Sequence, residues 1–216
     1  MRVTFILGFR PIPRLTLTMT VIAVIAAGAM GANVGQKLVD AGNIVLTDLD
    51  GRSDATRKRA HDAGMIHASW TDIIRKADMI LSIIPPSDAF SFAERVLAEC
   101  QGTERINKAP LVFVDCNAVN VVTIKRTAGL FSTSPIVFLD ACIIGGPPIG
   151  DNVPTFYGSA DVLDQQGLAL FKNVIEKSGI KVRILTGEGA GIGDASALKM
   201  SYAASLSLQM LYPFCH

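Results

Sequence analysis

Three groups of residues in this chain have the types and spacing to do chemistry. The first is Ala26-Ala27-Gly28-Ala29-Met30-Gly31, a turn of small residues between an apolar run starting at Val21 and a helix-compatible segment. A strand that passes into a helix through such a turn aims the helix's first N–H groups outward, where they and the helix dipole favour an anion. Gly28 stands where a backbone would approach a diphosphate, and Gly31 where the helix would pack closely on the strand. Ala26 replaces the first glycine of the usual pattern, and at a positive φ its methyl group would cost about 1–2 kcal/mol. A lone glycine pattern is weak, but the strand before it and the helix after it supply the required context. The expected ligand is a dinucleotide held by Ala27, Gly28, Ala29, Met30 and Gly31.

The second group follows the next apolar run. Asp48 and Asp50 can each accept a hydrogen bond from a ribose hydroxyl, whereas Arg52 and Ser53, with Arg57, Lys58 and Arg59 a turn later, suit a 2′-phosphate. This favours NADP, with NAD as the less favoured alternative. The third group is dispersed. Lys199 is the only basic residue between Arg183 and His216, in a segment otherwise uncharged beyond Asp194. Such an amine is either a proton-transfer group or a surface lysine. Asn117 ends an apolar run, where it can meet a carboxamide or cap a turn. Pro85-Pro86 walls the cofactor or simply stops a strand. Gly145-Gly146 offers backbone amides to an anion, or makes a tight turn.

Composition narrows the remaining classes. Half of the 216 residues are hydrophobic and the net charge is +1, which gives no footprint for nucleic acid or an anionic membrane surface. Four scattered cysteines and three histidines lack the spacing of a disulfide framework or zinc site, so no metal is expected and a reducing compartment fits. His61 and His67 flank a turn and are expected on the surface. Residues 15–36 carry no charge, a length open to a membrane span or signal peptide, but the threonines, glycines and alanines within it favour a buried first strand. Residues 1–19 contain three arginines and no acid, a composition shared with mitochondrial presequences, while Pro11 and Pro13 suit a disordered leader. The expected location is cytoplasmic, with mitochondrial as the alternative.

These sites need elements to position them. Short apolar runs at 21–25, 43–48, 65–67, 78–84, 111–115 and 136–140 read as strands, and 53–63, 71–77 and 87–100 as helices, the last with Ser87 as N-cap. Runs at 154–158 and 181–185 read as edge strands either side of a helix over 160–178, and 195–211 as a final apolar helix. Strands alternating with helices at crossover spacing predict an α/β fold: a doubly wound, mostly parallel, Rossmann-like sheet. The expected organisation is a leader at 1–19, a nucleotide-binding domain at 20–186, and the start of an all-α region at 187–216.

Taken in order, these motifs resemble the 6-phosphogluconate and β-hydroxyacid dehydrogenase family over roughly residues 20–205. Gly28-Ala29-Met30-Gly31 is similar to its phosphate turn, Gly51-Arg52-Ser53 to the motif of its NADP-using members, and Asp115-Cys116-Asn117-Ala118 to the strand end that meets the nicotinamide. Asp140-Ala141-Cys142-Ile143-Ile144-Gly145-Gly146 looks like the substrate-binding segment, and Lys199 falls where the family keeps a catalytic lysine. The wording is closest to a 6-phosphogluconate-dehydrogenase-like branch. The resemblance implies hydride transfer between NADP and a small hydroxy acid, with Lys199 as acid/base and Ile144, Gly145 and Gly146 at the substrate. It departs at Ile144, where serine is usual, and at Tyr202 and Ala203, near the usual asparagine, so 6-phosphogluconate itself is not the implied substrate. Family members continue into a helical domain that closes the site and forms a homodimer. Without it, Leu206, Leu208, Met210, Leu211 and Phe214 would lack cover, and the alternative is a non-catalytic NADP-binding fragment.

Overall fold

Alternating side chains along each strand feed two separate cores, one on either face of a single sheet. In β1 (Val21–Ile25), Ile22 and Val24 join one core while Ala23 and Ile25 join the other. In β5 (Val112–Asp115), Val112 and Val114 point one way and Phe113 the other. This is the two-residue period of an extended chain buried on both faces. The remaining strands are β2 (Ile44–Thr47), β3 (Ile66–His67), β4 (Met79–Ser82), β6 (Val137–Ile144), β7 (Thr155–Ser159) and β8 (Lys181–Ile184). The computed structural model describes residues 19–106 and 109–211.

Helices cover both faces. The first core packs beneath α1 (Ala29–Asp40), α2 (Asp54–Asp62) and α6 (Gln165–Lys177), and the second beneath α3 (Trp70–Lys76), α4 (Ala89–Gly102) and α5 (Val121–Phe131). A last helix, α7 (Asp194–Leu211), lies against β6. The strand order is β3-β2-β1-β4-β5-β6-β7-β8, parallel throughout except between β6 and β7. The order runs outward in opposite directions from β1 and β4. Their carboxyl ends therefore form the switch point where ligands bind in such sheets.

The expected fold class is what the structure shows, with local corrections. Helix α5 stands in a stretch where no element was expected; Asn120 caps it by accepting from the Thr123 N–H at 2.8 Å. Strand β6 runs to Ile144 rather than stopping at Asp140, because Ala141 to Ile144 pair with β7 across the antiparallel junction. That pairing also makes β7 an interior strand, leaving β8 as the edge. Ser87 does not cap α4: it sits in a 3-10 turn, Pro86–Asp88, and donates to the Asp88 carboxylate at 2.9 Å. The described part of the uncharged run holds β1 and the start of α1, and no described helix is long and apolar enough to cross a membrane. Apart from Met19, the proposed leader lies outside the described residues, as do Phe214 and the chain's last residue.

Phe113 anchors the second core. It is fully buried, with the rings of Phe92, Phe131 and Phe138 centred 5.3 to 5.9 Å away. Phe113→Ala is expected to destabilise the protein by about 3–5 kcal/mol in urea unfolding; a loss below about 1 kcal/mol would mean that the ring cluster is dispensable.

Candidate functional site

The turn after β1 is built by close approach. A Cβ on Gly31 would collide with the carbonyl of Ala26, so only glycine lets α1 press this tightly on the strand end. Gly28 precedes α1 in extended geometry with no side-chain cap, and there is no acidic residue in the first helical turn. A Cβ at Gly28 would meet no protein atom within 4 Å. No side chain caps the amides at the start of α1, which suits an external acceptor such as an anion. No described non-glycine residue has a positive φ, so the penalty anticipated at Ala26 does not arise. Ala27 is buried, while Ala29 is exposed and Met30 packs on the first core.

A hydrogen-bond relay ties this turn to the neighbouring strand ends. Ala26 N–H donates to the Ile83 carbonyl at 3.1 Å, and the Ile83 N–H donates to the carbonyl of Ile25. Asn117 then locks the next loop. Its side-chain oxygen accepts from Ile84 N–H at 2.8 Å, its amide nitrogen donates to the Ser82 hydroxyl at 2.9 Å, and its backbone N–H donates to Asp115 at 2.9 Å. Asn117 is 3% exposed, so here it holds the β4 and β5 loops together. Pro85 is exposed at the start of the 3-10 turn following β4.

After β2, the two signals read from the sequence for ribose selection lie side by side. Ser53 caps α2, its hydroxyl accepting from Thr56 N–H at 3.4 Å, and Arg52 beside it is exposed. Asp48 is buried and accepts from the Asp50 N–H at 3.0 Å. His67 has a structural task that its surface position concealed: Nδ1 accepts from Leu49 N–H at 3.2 Å, and Nε2 lies 3.6 Å from Asp50.

The residues expected at the substrate lie near one another through α7. Lys199 Nζ donates to the Ile143 carbonyl at 2.6 Å, which places the amine against the segment Ile144, Gly145 and Gly146. Gly145 has φ +117°, and a Cβ there would approach Pro154 Cα at 3.1 Å, so this glycine is required by the turn itself. The residue that sequence reasoning undervalued is Asp140. Fully buried, its carboxylate accepts from Gly193 N–H (2.9 Å), Ser196 N–H (3.1 Å), the Ser196 hydroxyl (2.8 Å) and the Ser159 hydroxyl (3.2 Å). It fastens the first turn of α7, and Lys199 follows Ser196 by one turn. The available signal was an acid ending an apolar strand, which is costly unless the acid is hydrogen-bonded.

Ser82, Asp115, Asp140 and Ser159 are register neighbours across β4, β5, β6 and β7, forming a polar row within the sheet. Burial raises the pKa of both carboxyls, and the bonds from Ser196 and Gly193 oppose that rise at Asp140. Asp115 has less support: its Oδ2 is buried without a partner, and burial pushes its pKa up to about 6. Burial also raises the Cys116 and Cys142 thiols, the latter to about 12, which argues against thiolate chemistry at either residue.

Two expected outcomes follow from this geometry. The folded-state value of Asp115, about 6, lies above its free value of 3.8, so folding takes up a proton between them. Stability then falls as pH rises from about 4 to about 6, and Asp115→Asn should remove on the order of 3 kcal/mol of that fall in urea unfolding. An unchanged slope would show that folding leaves the Asp115 pKa where it is in the unfolded chain. The glycines should separate in their effects. Gly28→Ala is expected to abolish nucleotide binding at a stability cost of about 1 kcal/mol or less, whereas Gly31→Ala should lower stability by about 1–3 kcal/mol. Calorimetric titration and thermal unfolding of both variants check this, and Gly28→Ala binding as wild type does would contradict it.

Comparison with known proteins agrees with the fold. Residues 21–187 match the NAD-binding domain of 6-phosphogluconate dehydrogenase. No curated protein matches the chain. Among solved structures, Mycobacterium tuberculosis 3-hydroxyisobutyrate dehydrogenase with L-serine has a TM-score of 0.70 at 20% identity, covering 89% of this chain and 62% of that one. An imine reductase from Myxococcus stipitatus is also similar. Its V8 variant with NAD+ gives a TM-score of 0.67 at 17% identity, over 90% of this chain and 63% of that one. The enzyme with NADP+ gives 0.64 at 18%, over 89% and 62%. The chain thus spans less than two thirds of these structures, and at such identities the likeness speaks for the fold. With the turn, the switch point and a match over residues 21–187 in agreement, this chain belongs to the family of the NAD-binding domain of 6-phosphogluconate dehydrogenase.

Proposed function

We propose that the chain works as an NADP-dependent oxidoreductase of the β-hydroxyacid dehydrogenase type. The observation that carries this is the 2.6 Å bond from Lys199 Nζ to the Ile143 carbonyl, which sets an amine beside Gly145 and Gly146. The residues present fit a dinucleotide: the uncapped α1 amides and the open side of Gly28 suit its diphosphate. Arg52 and Ser53 suit a 2′-phosphate, while Asp48 and Asp50 nearby are what NAD would use, so the choice rests on charge balance. Ala27, Ala29, Met30 and Gly31 complete the cradle, and Pro85 and Asn117 shape the nicotinamide side.

Bound there, the nicotinamide ring supplies or accepts a hydride. The chain's own residues would do the rest. Gly145 and Gly146, both exposed, can present backbone amides to a substrate carboxylate, and Ile144 adds an apolar wall that favours a small side chain. The Lys199 amine would take the hydroxyl proton as the carbonyl forms and return it in reverse, with Asp140 holding its helix in place. The exposed residues 201–207 of α7 suit contact with a following helical domain or a second copy. The three cysteines among the described residues are free, which suits a reducing compartment, cytoplasmic or mitochondrial.

A second reading is nucleotide binding without turnover, favoured by a family match over residues 21–187 that is to a nucleotide-binding domain and ends before Lys199. Titration with NADPH and NADH, followed by assay with a panel of small β-hydroxyacids, separates the two. Tighter binding of NADPH is expected, with Arg52→Ala weakening it about 10-fold. Lys199→Ala should lower turnover about 100-fold or more. Tighter NADH binding would defeat the NADP assignment, and full turnover in Lys199→Ala would defeat the lysine's role. Binding without hydride transfer in the wild type would select the second reading.

A further inference from the structure

We propose that Arg59 is a further specificity residue, its guanidinium clamping the 2′-phosphate between the phosphate turn and the start of α2; this rests on the NADP reading above. Arg59 Nε donates to the Ala27 carbonyl at 3.3 Å, across 32 positions of sequence, and Nη2 donates to Thr56 Oγ1 at 2.9 Å. Thr56 Oγ1 lies 3.2 Å from Ser53 Oγ. A chain of polar contacts therefore runs from Ser53 through Thr56 and Arg59 to the residue immediately before Gly28.

Its neighbours are tied within their own segment rather than to the phosphate turn. Lys58 is paired with Asp62 at 2.7 Å, and Arg57 Nε donates to the Arg52 carbonyl at 3.1 Å. Among the described residues, Arg59 has no carboxylate partner; its two bonds both go to neutral oxygens. A guanidinium carries five N–H groups in a planar fork, so most of its donors remain for a ligand. The side chain is solvent-exposed yet tethered to two separate elements. A cation fixed without a counterion beside an open anion cradle is preorganised for phosphate, because its ordering cost is met before the ligand arrives. The tether to Ala27 places it on the turn side of α2, one and a half helical turns beyond Ser53. A purely structural clamp would use the same two bonds, so the test must separate phosphate recognition from scaffolding.

The experiment is calorimetric titration of wild type, Arg59→Ala and Arg59→Lys with NADPH, NADH, 2′,5′-ADP and ADP, alongside thermal unfolding of each ligand-free protein. Arg59→Ala should weaken NADPH and 2′,5′-ADP by about 10-fold or more while changing NADH and ADP by less than about 3-fold. Arg59→Lys should fall between, since an ammonium keeps the charge and loses the fork. Equal weakening of all four ligands would overturn the proposal in favour of a scaffold or diphosphate role, and unchanged binding would overturn it outright. A wild type that binds none of the four would instead sink the nucleotide reading on which the proposal stands. If Arg59→Ala does not fold, the lysine variant decides by the same comparison of phosphorylated with unphosphorylated ligands.

Discussion

The contact that cannot tolerate a single carbon atom is the one on which the site depends. Because residue 31 has no side chain, α1 rests on the Ala26 carbonyl, and its first amides open outward at the end of β1. The pairing of Ile25 and Ala26 with Ile83 fixes the turn against β4, and Asn117 carries the same restraint to β5. Three neighbouring loops at the switch point are thus held by hydrogen bonds as well as by packing on the two cores. This gives a rigid rim around an uncapped helix start. Rigidity matters because preorganised dipoles need not reorganise when an anion arrives.

A second restraint works by the opposite means. Asp140 places a carboxylate in the interior, where desolvation alone would be prohibitive, and recovers that cost through bonds from two backbone amides and two hydroxyls. The benefit is orientation: α7 starts where the carboxylate dictates, and Lys199 reaches Ile143. Asp115, its neighbour in register, lacks comparable support and has a buried oxygen without a partner. A buried carboxyl with one oxygen unpaired is destabilising where it stands, unlike the fully bonded Asp140.

Much of this was legible in the sequence for a plain physical reason. Strand period, small-residue turn and helix start are local properties, so the sheet, the Gly28 turn and the Ser53 region were all readable. What escaped depended on partners distant in the chain. The extension of β6 to Ile144 needs β7, the cap function of Asp140 needs Ser196, and the engagement of His67 needs the Leu49 amide. Helix α5 was missed because β-branched residues at its start mask the helical period, although Asn120 marked its cap. Asn117 offers a carboxamide contact or a turn cap in sequence, and its side-chain bonds to Ile84 and Ser82, 33 and 35 positions away, are what no local pattern announces.

The most direct test of the account is a crystal structure of the protein with NADPH. The diphosphate oxygens are expected within hydrogen-bonding distance of the amides at residues 28–31, with the adenosine end at Ser53 and the nicotinamide directed toward Ile143 to Gly146. Nucleotide bound in another cavity, with the Gly28 turn left open, would contradict it.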